Sequence, residues 1–326
     1  MKRTGKILLV ALVVSMMIPA MIFAGGKSEG TGKKEYSFVF IPKLVHPWYE
    51  AVKAGIEQAI ADYKAQGITV NYTWDATITA DVLEQMKKLE NAAAKKVDAI
   101  GISIIDASVT TAIINDLISS NIRVATFDTD APESNRLFYC GHADNRGDGA
   151  TLARELASKI GEKGEVAILA GTLSAPNHKE RVEGFKTEIA KYPNIKIVAE
   201  YPDDDSLEKA ISLTESIIQS FPNLAGIFGC NASNPVGAAQ AVTDAGKKGV
   251  ITIVGMDDDP ETIKYLAEGT IYATVVQNVK EIGYRSVQNM ILLTDGKPLP
   301  QKEIEVGAFV VKQDSLDNYY KITGNK

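Results

Sequence analysis

From residue 36 onward the apolar positions keep two alternating rhythms. Short, nearly continuous runs at 36–41 (YSFVFI), 70–74, 98–105, 123–127 and 137–140 fit strands. The run DAIGISII at 98–105 has the composition of a strand covered on both faces. Between these runs the spacing lengthens to that of a helix. Ala51, Ile56, Ala59, Ile60 and Tyr63 share one face of 48–65, Val82, Met86 and Leu89 share one face of 81–95, and a third helix fits 109–119. The pattern then restarts. Strands are predicted at 165–169, 196–201, 225–228, 250–254 and 272–276, with helices near 147–161, 179–191, 206–220, 235–245 and 260–268. A last helix is predicted over 279–294 and a single last strand over 305–311. Such alternation predicts an α/β protein of two doubly wound parallel-sheet, Rossmann-like lobes. Open parallel sheets bind ligands outside the carboxyl ends of their strands.

The N-terminal segment has another character. Lys2, Arg3 and Lys6 precede an almost wholly apolar stretch from Ile7 to Met17, Pro19 breaks it, and Ala24-Gly25-Gly26 supplies small residues. This order predicts a signal peptide over 1–24 cut near Ala24, hence export. Gly25 to Lys34 hold no apolar residue, so 25–35 reads as a flexible tether. The 326 residues, 45% hydrophobic and 23% charged, suffice for about two domains. The net charge is −6, and loss of three basic residues with the leader makes it −9. An acidic balance argues against a nucleic-acid partner. Two cysteines, Cys140 and Cys230, cannot build a disulfide framework, and they are expected as free, buried thiols.

The residues after each predicted strand carry the candidate chemistry. His46-Pro47-Trp48-Tyr49 follows the first strand, and flat aromatic faces with polar edges suit the C–H faces of a sugar ring. Asp128-Thr129-Asp130 follows the fourth. It fits a metal site, an acid/base pair or acceptors for hydroxyls, but the regularly spaced further oxygen ligands of a metal site are missing. Asn177 and Arg181 stand near a helix start after the next strand. Later strands end in Cys230-Asn231, in Met256-Asp257 and in Gln277-Asn278, while Asp258 and Asp259 read as helix caps before Pro260. This set donates and accepts hydrogen bonds but holds no evident nucleophile.

In order and spacing, these pieces resemble the type I periplasmic sugar-binding proteins, the ribose/galactose/xylose-binding family, over about residues 36–312. They are the aromatic pair at 48–49, Phe127-Asp128, Lys179 to Phe185, Cys230-Asn231, Val254 to Asp257 and Ala273 to Gln277. The resemblance implies hydrogen bonds to sugar hydroxyls from His46, Asp128, Arg181, Asn231, Asp257 and Gln277, with stacking by Trp48 and Tyr49. Pro42-Lys43 and Asp128-Thr129-Asp130 look more like the branch containing the autoinducer-2 and rhamnose receptors, which adds Lys43 and Asp130 to the expected site. It further implies three crossings between lobes, with an N-terminal lobe of 36–143 plus 277–307 and a C-terminal lobe of 144–276 plus 308–326. Hinge closure, no cofactor, an ABC permease in the membrane and a chemoreceptor as partners, and a periplasmic location complete the expectation. The ligand class is a monosaccharide, a polyol or a related polyhydroxylated signal.

Two other classes fare worse. A glycoside-processing enzyme needs a nucleophile with its base or a carboxylate pair flanking the bond. The chain has three histidines, His46, His142 and His178, and no Gly-x-Ser-x-Gly or phosphate-loop motif. A regulator sharing this core would carry a helix-turn-helix where the leader stands.

Overall fold

A computed structural model describes residues 35–323, so the predicted leader and the tether up to residue 34 lie outside the described residues. The first sheet is built from β1 (Glu35–Ile41), β2 (Thr69–Trp74), β3 (Ala99–Ile102), β4 (Val124–Phe127) and β5 (Tyr139–Gly141), interleaved with α1 (Trp48–Ala65), α2 (Val82–Ala94) and α3 (Ala107–Ser119). After α4 (Asn145–Lys159) come β6 (Lys163–Leu169), α5 (Pro176–Ile189), β7 (Asn194–Tyr201), α6 (Leu207–Ser220), β8 (Leu224–Gly229), α7 (Ser233–Asp244), β9 (Thr252–Met256), α8 (Pro260–Ala267) and β10 (Ile271–Gln277). The chain ends with α9 (Val279–Thr294), β11 (Glu303–Glu305), β12 (Ala308–Lys312) and α10 (Leu316–Thr323). The strand orders are β11-β5-β4-β3-β1-β2 and β12-β10-β9-β8-β6-β7. Every pair is parallel except β10 with β12.

The single strand predicted over 305–311 is in fact two strands in different sheets. Gly307 lies between them at φ +76°, where a side chain is strained, and its N–H donates to Oε1 of Glu305 at 2.7 Å. An apolar pattern cannot register such a break, because both halves are half-buried edge strands.

Period-two alternation sorts the strand residues to opposite faces. Phe38, Phe40 and Phe127 pack with α1 and α9, while Val39, Ile41, Ile100 and Ile102 pack with α2 and α3. In the second sheet Leu169, Ile227 and Ile253 meet the helices α6 to α8, and Ile168, Phe228 and Val254 meet α4 and α5. Each large apolar side chain buried this way contributes about 1.5–3 kcal/mol.

Two helix pairs approach to backbone contact. A methyl group on Gly55 of α1 would overlap the Lys280 carbonyl, and one on Gly283 of α9 would overlap the Val52 carbonyl. Gly149 of α4 and Gly184 of α5 meet the carbonyls of Arg181 and Arg146 in the same way.

Cys140 and Cys230 are free and buried. Burial pushes the Cys140 thiol up to about 12 and Cys230 well above its ordinary value. The native protein is therefore expected to react with a disulfide reagent such as DTNB at neither thiol over minutes, and at both once unfolded in guanidinium. Prompt labelling of the folded protein would contradict this burial. Among the described residues no helix is long and apolar enough to cross a membrane, and no cluster of His, Cys, Asp and Glu could hold a metal ion.

Candidate functional site

The carboxyl ends of the two sheets face one cleft, the placement expected of a ligand site in open parallel sheets. From the first sheet come Lys43, His46, Trp48, Tyr49 and Asp128, and from the second Asn177, Arg181, Asn231, Asp257 and Gln277. Asp128 directly follows β4 and Asp257 directly follows β9, the one at φ 59° and the other at φ 69°. Non-glycine residues in the left-handed region are uncommon, Asp being among those that tolerate it. The matching strain at both strand ends is of the kind that marks a functional site.

The two sheets are joined across the cleft. Trp48, at the start of α1, donates Nε1–H to Oδ1 of Asp257 at 2.9 Å, and Gln277 donates Nε2–H to the same oxygen at 2.8 Å. Burial pushes the Asp257 carboxyl up to about 6, while Arg181, Gln277 and Trp48 pull the other way. On the first sheet Oδ2 of Asp128 accepts from the Tyr49 hydroxyl at 2.6 Å and from Ser103 Oγ at 2.7 Å, and lies 3.8 Å from the Lys43 ammonium. Burial and the Asp128 charge raise the Tyr49 phenol well above its ordinary value, so it stays a donor.

Both histidines of the cleft are held neutral. Nδ1 of His46 accepts the Trp48 N–H at 3.1 Å, which leaves the proton on Nε2 to be donated to Ser233 Oγ at 3.0 Å across the cleft. Nδ1 of His178 accepts the Thr172 N–H at 3.0 Å, and burial lowers this imidazole to about 4. Asp205 takes the Asn231 amide at 2.6 Å and lies 3.6 Å from Nε2 of His178. Asn177 Oδ1 and Arg181 Nε are buried with no hydrogen-bonding partner among the described residues. Such atoms are costly unless something satisfies them. Three carboxylates against Lys43 and Arg181 leave the lining close to balanced, a chemistry for a neutral molecule rich in both donors and acceptors.

Ten of the eleven expected residues thus line one cleft. Asp130 does not. Its carboxylate is clamped by Arg136 through Nε at 2.7 Å and Nη2 at 2.6 Å, and Arg136 also reaches Glu303 of β11 at 2.7 Å, so Asp130 braces the sheet edge. Tyr49 lines the cleft but not as a second stacking face. Its ring stands at 85° to that of Trp48, with centroids 5.1 Å apart, and packs edge-on among Trp74 and Phe127. Perpendicular rings cannot both lie flat on one sugar. Of the expected caps, Asp258 instead accepts from the Tyr319 hydroxyl at 2.8 Å, and Asp259 stands at the N-cap of α8 without a side-chain cap. Asp205, His178 and Ser233 line the cleft without having been singled out. Asp203-Asp204-Asp205 follows the end of β7, so strand-end placement was the signal that pointed to it.

The periplasmic binding protein domain is matched over residues 38–298. The chain belongs to this family. Its members are substrate-binding transport proteins, and its α/β architecture of two parallel-dominated sheets is the one found here. The D-allose-binding periplasmic protein of Escherichia coli (strain K12) is 28% identical over 296 residues, which are 88% of this chain and 91% of that one. An ABC transporter solute-binding protein from Burkholderia graminis, solved in complex with D-arabinose, superposes with a TM-score of 0.82 at 30% identity, over 88% of this chain and 99% of that one. GanP, a glucose-galactose binding protein from Geobacillus stearothermophilus, gives 0.80 at 32% identity, over 87% and 99%.

Proposed function

We propose that this chain is the exported solute-binding component of an ABC importer, taking a monosaccharide or polyol into the interlobe cleft and delivering it to a membrane permease. The observation that carries the reading is the convergence of polar groups from the strand ends of both sheets on one cleft, bridged by Trp48 and Asp257. Family membership supports it, as do relatives named for D-allose and for glucose and galactose and a neighbour bound to D-arabinose. Trp48 supplies the flat face, Asp128 and Asp257 accept from hydroxyls, and Arg181, Asn177 and Lys43 complete the ring of bonds. The groups are fixed by one another, in neutral or paired states, which suits reversible binding rather than bond cleavage. The leader at 1–24 directs export to the periplasm and is cut near Ala24, and the tether, expected to run to residue 35, stops at 34 because Glu35 already pairs in β1. The lobes follow the expected division, shifted by one residue where β1 begins at Glu35 and β10 ends at Gln277: 35–143 with 278–307, and 144–277 with 308–326, closing on the ligand about the three crossings. The closed form is what the permease, and a chemoreceptor, recognise.

A thermal-shift screen over pentoses, hexoses, polyols and an autoinducer-2-like compound tests the reading. The last is included because Lys43 lines the cleft even though Asp130 does not. A ligand at about a hundred times its Kd adds about 2.7 kcal/mol, which for a protein of about 300 residues raises Tm by about 4 °C. A flat response to every polyhydroxylated compound would sink the proposal.

A further inference from the structure

Behind the cleft, where the chain passes between the sheets, His142 joins the first crossing to the third, and Asn278 ties the second crossing to the third. His142 follows β5. Its Nδ1 lies 2.7 Å from Oε1 of Glu305, at the end of β11, and its Nε2 lies 3.1 Å from Oδ1 of Asp148 on α4. Glu305 also takes the N–H of Ala143 and of Gly307, each at 2.7 Å. Asn278, after β10, donates to the Val306 carbonyl at 2.6 Å and to the Gly307 carbonyl at 3.1 Å. A ring nitrogen must carry a proton to donate to a carboxylate, so only the imidazolium satisfies both partners. A neutral ring turns a lone pair towards one of them. Glu305 belongs to the first sheet and α4 covers the second, so rotation of one sheet against the other changes the His142–Asp148 contact. Among the described residues Oδ2 of Asp148 makes no hydrogen bond and lies 3.9 Å from Nε of Arg181, which also has no hydrogen-bonding partner there and whose side chain lines the cleft. A continuous set of charged groups therefore runs from the crossings to the ligand site.

We propose that His142 is a positioning residue that couples ligand capture to the uptake of one proton: the imidazolium bridging Asp148 and Glu305 holds the closed arrangement of the sheets. This rests on the sugar-binding reading above. The groups facing His142 are Asp148 from α4, Glu305 from β11 and the Tyr139 hydroxyl from β5, which donates to the His142 carbonyl at 3.0 Å. Asn145 approaches the same carbonyl at 3.5 Å, with Glu180 of α5 3.4 Å from its amide, and Arg181 stands behind Asp148. Burial pulls the His142 pKa down, but the two carboxylates outweigh it and hold it above the ordinary value. A group raised in this way stabilises the closed form fully below its ordinary pKa and loses that contribution as pH rises through the raised one.

Calorimetric titration with D-allose, D-ribose and D-arabinose, each in buffers of different ionisation enthalpy, counts protons taken up per sugar bound. Uptake is expected, with affinity rising as pH falls, by about tenfold for each unit of pKa separating the open and closed forms. Asp203, Asp257 and Asp259 also titrate near neutral pH, so His142→Gln assigns the proton. That variant is expected to bind with no uptake through this site and a flatter pH profile. Sugar binding without proton uptake, or uptake unchanged in His142→Gln, overturns the coupling and leaves sugar binding intact. If none of the three sugars binds, it is the sugar-binding reading that loses support, and the bridge is judged in the free protein. With three histidines in the chain, the His142 imidazole resonance is assigned by its loss in His142→Gln. It is expected to titrate above about 6.5 and to drop in Glu305→Gln. Titration at or below that value overturns the bridge.

Discussion

Asp257→Ala is expected to abolish the sugar-dependent rise in melting temperature while the ligand-free protein keeps most of its stability. Oδ1 of Asp257 holds Trp48 and Gln277, and Oδ2 makes no hydrogen bond within the described residues, so it is the atom offered to a ligand hydroxyl. Hydrogen bonds to a charged group contribute about 1.5–3 kcal/mol each, and losing the direct bond together with the fixed Trp48 face should cost at least about a hundredfold in affinity. The ligand-free effect is smaller because two terms oppose each other. The freed Trp48 and Gln277 donors lose their partner, but a buried carboxylate raised to about 6 by desolvation no longer has to be ionised at neutral pH. The raised value also fixes a sign. Proton binding favours the folded state between the ordinary carboxylate pKa and about 6, so stability from this group grows as pH falls through that window and is absent above it. Asp257→Asn should remove that slope. Melting curves of the three proteins at several pH values, with and without D-allose or D-arabinose, separate the outcomes. A large loss of ligand-free stability in Asp257→Ala would assign the residue to the architecture instead.

Gly283→Ala is expected to destabilise the protein by about 1–3 kcal/mol, a fall in Tm of about 2–5 °C. The added methyl meets the Val52 carbonyl and the Ile56 amide, which are helix backbone and cannot swing aside. Relief requires α9 to move off α1, and α1 begins with Trp48. Affinity for sugar should therefore drop along with stability. Gly149→Ala should do the same to α4 and α5, the second of which carries Asn177 and Arg181. Thermal melts followed by circular dichroism read the first effect. A Tm within about a degree of wild type would show that the helix pairs separate freely.

Most of the framework could be read from hydrophobic periodicity. Core strands such as β3 and β8 are unbroken apolar runs, and 279–294 coincides with α9, because burial on both faces or along one stripe leaves a pattern in the residues themselves. Strand ends were legible for the same reason, and they led to Trp48, Asp128, Asn231, Asp257 and Gln277. What escaped depends on through-space geometry. Asp130 looks equivalent to Asp128 in the sequence, and only the nearness of Arg136 turns it into a brace. Tyr49 looks like a partner for Trp48, but adjacent residues at a helix start point about 100° apart, so one ring faces the cleft while the other enters the core and sends its hydroxyl to Asp128. Asp205 stands in a run of three aspartates after β7, and strand-end placement alone does not say which of the three enters the cleft, where Asn231 and His178 close on it.

The late addition of α9 and β11 to the first sheet bears on how the molecule is made. Both elements are translated after the entire second sheet except β12, so the N-terminal half emerges with its α1 face uncovered and its β5 edge bare. It cannot finish folding as it leaves the ribosome, whatever its local propensities. Completion of the first sheet and of its α1 face therefore waits until residues 279–305 have been synthesised, which couples the closing of the first fold half to the end of synthesis.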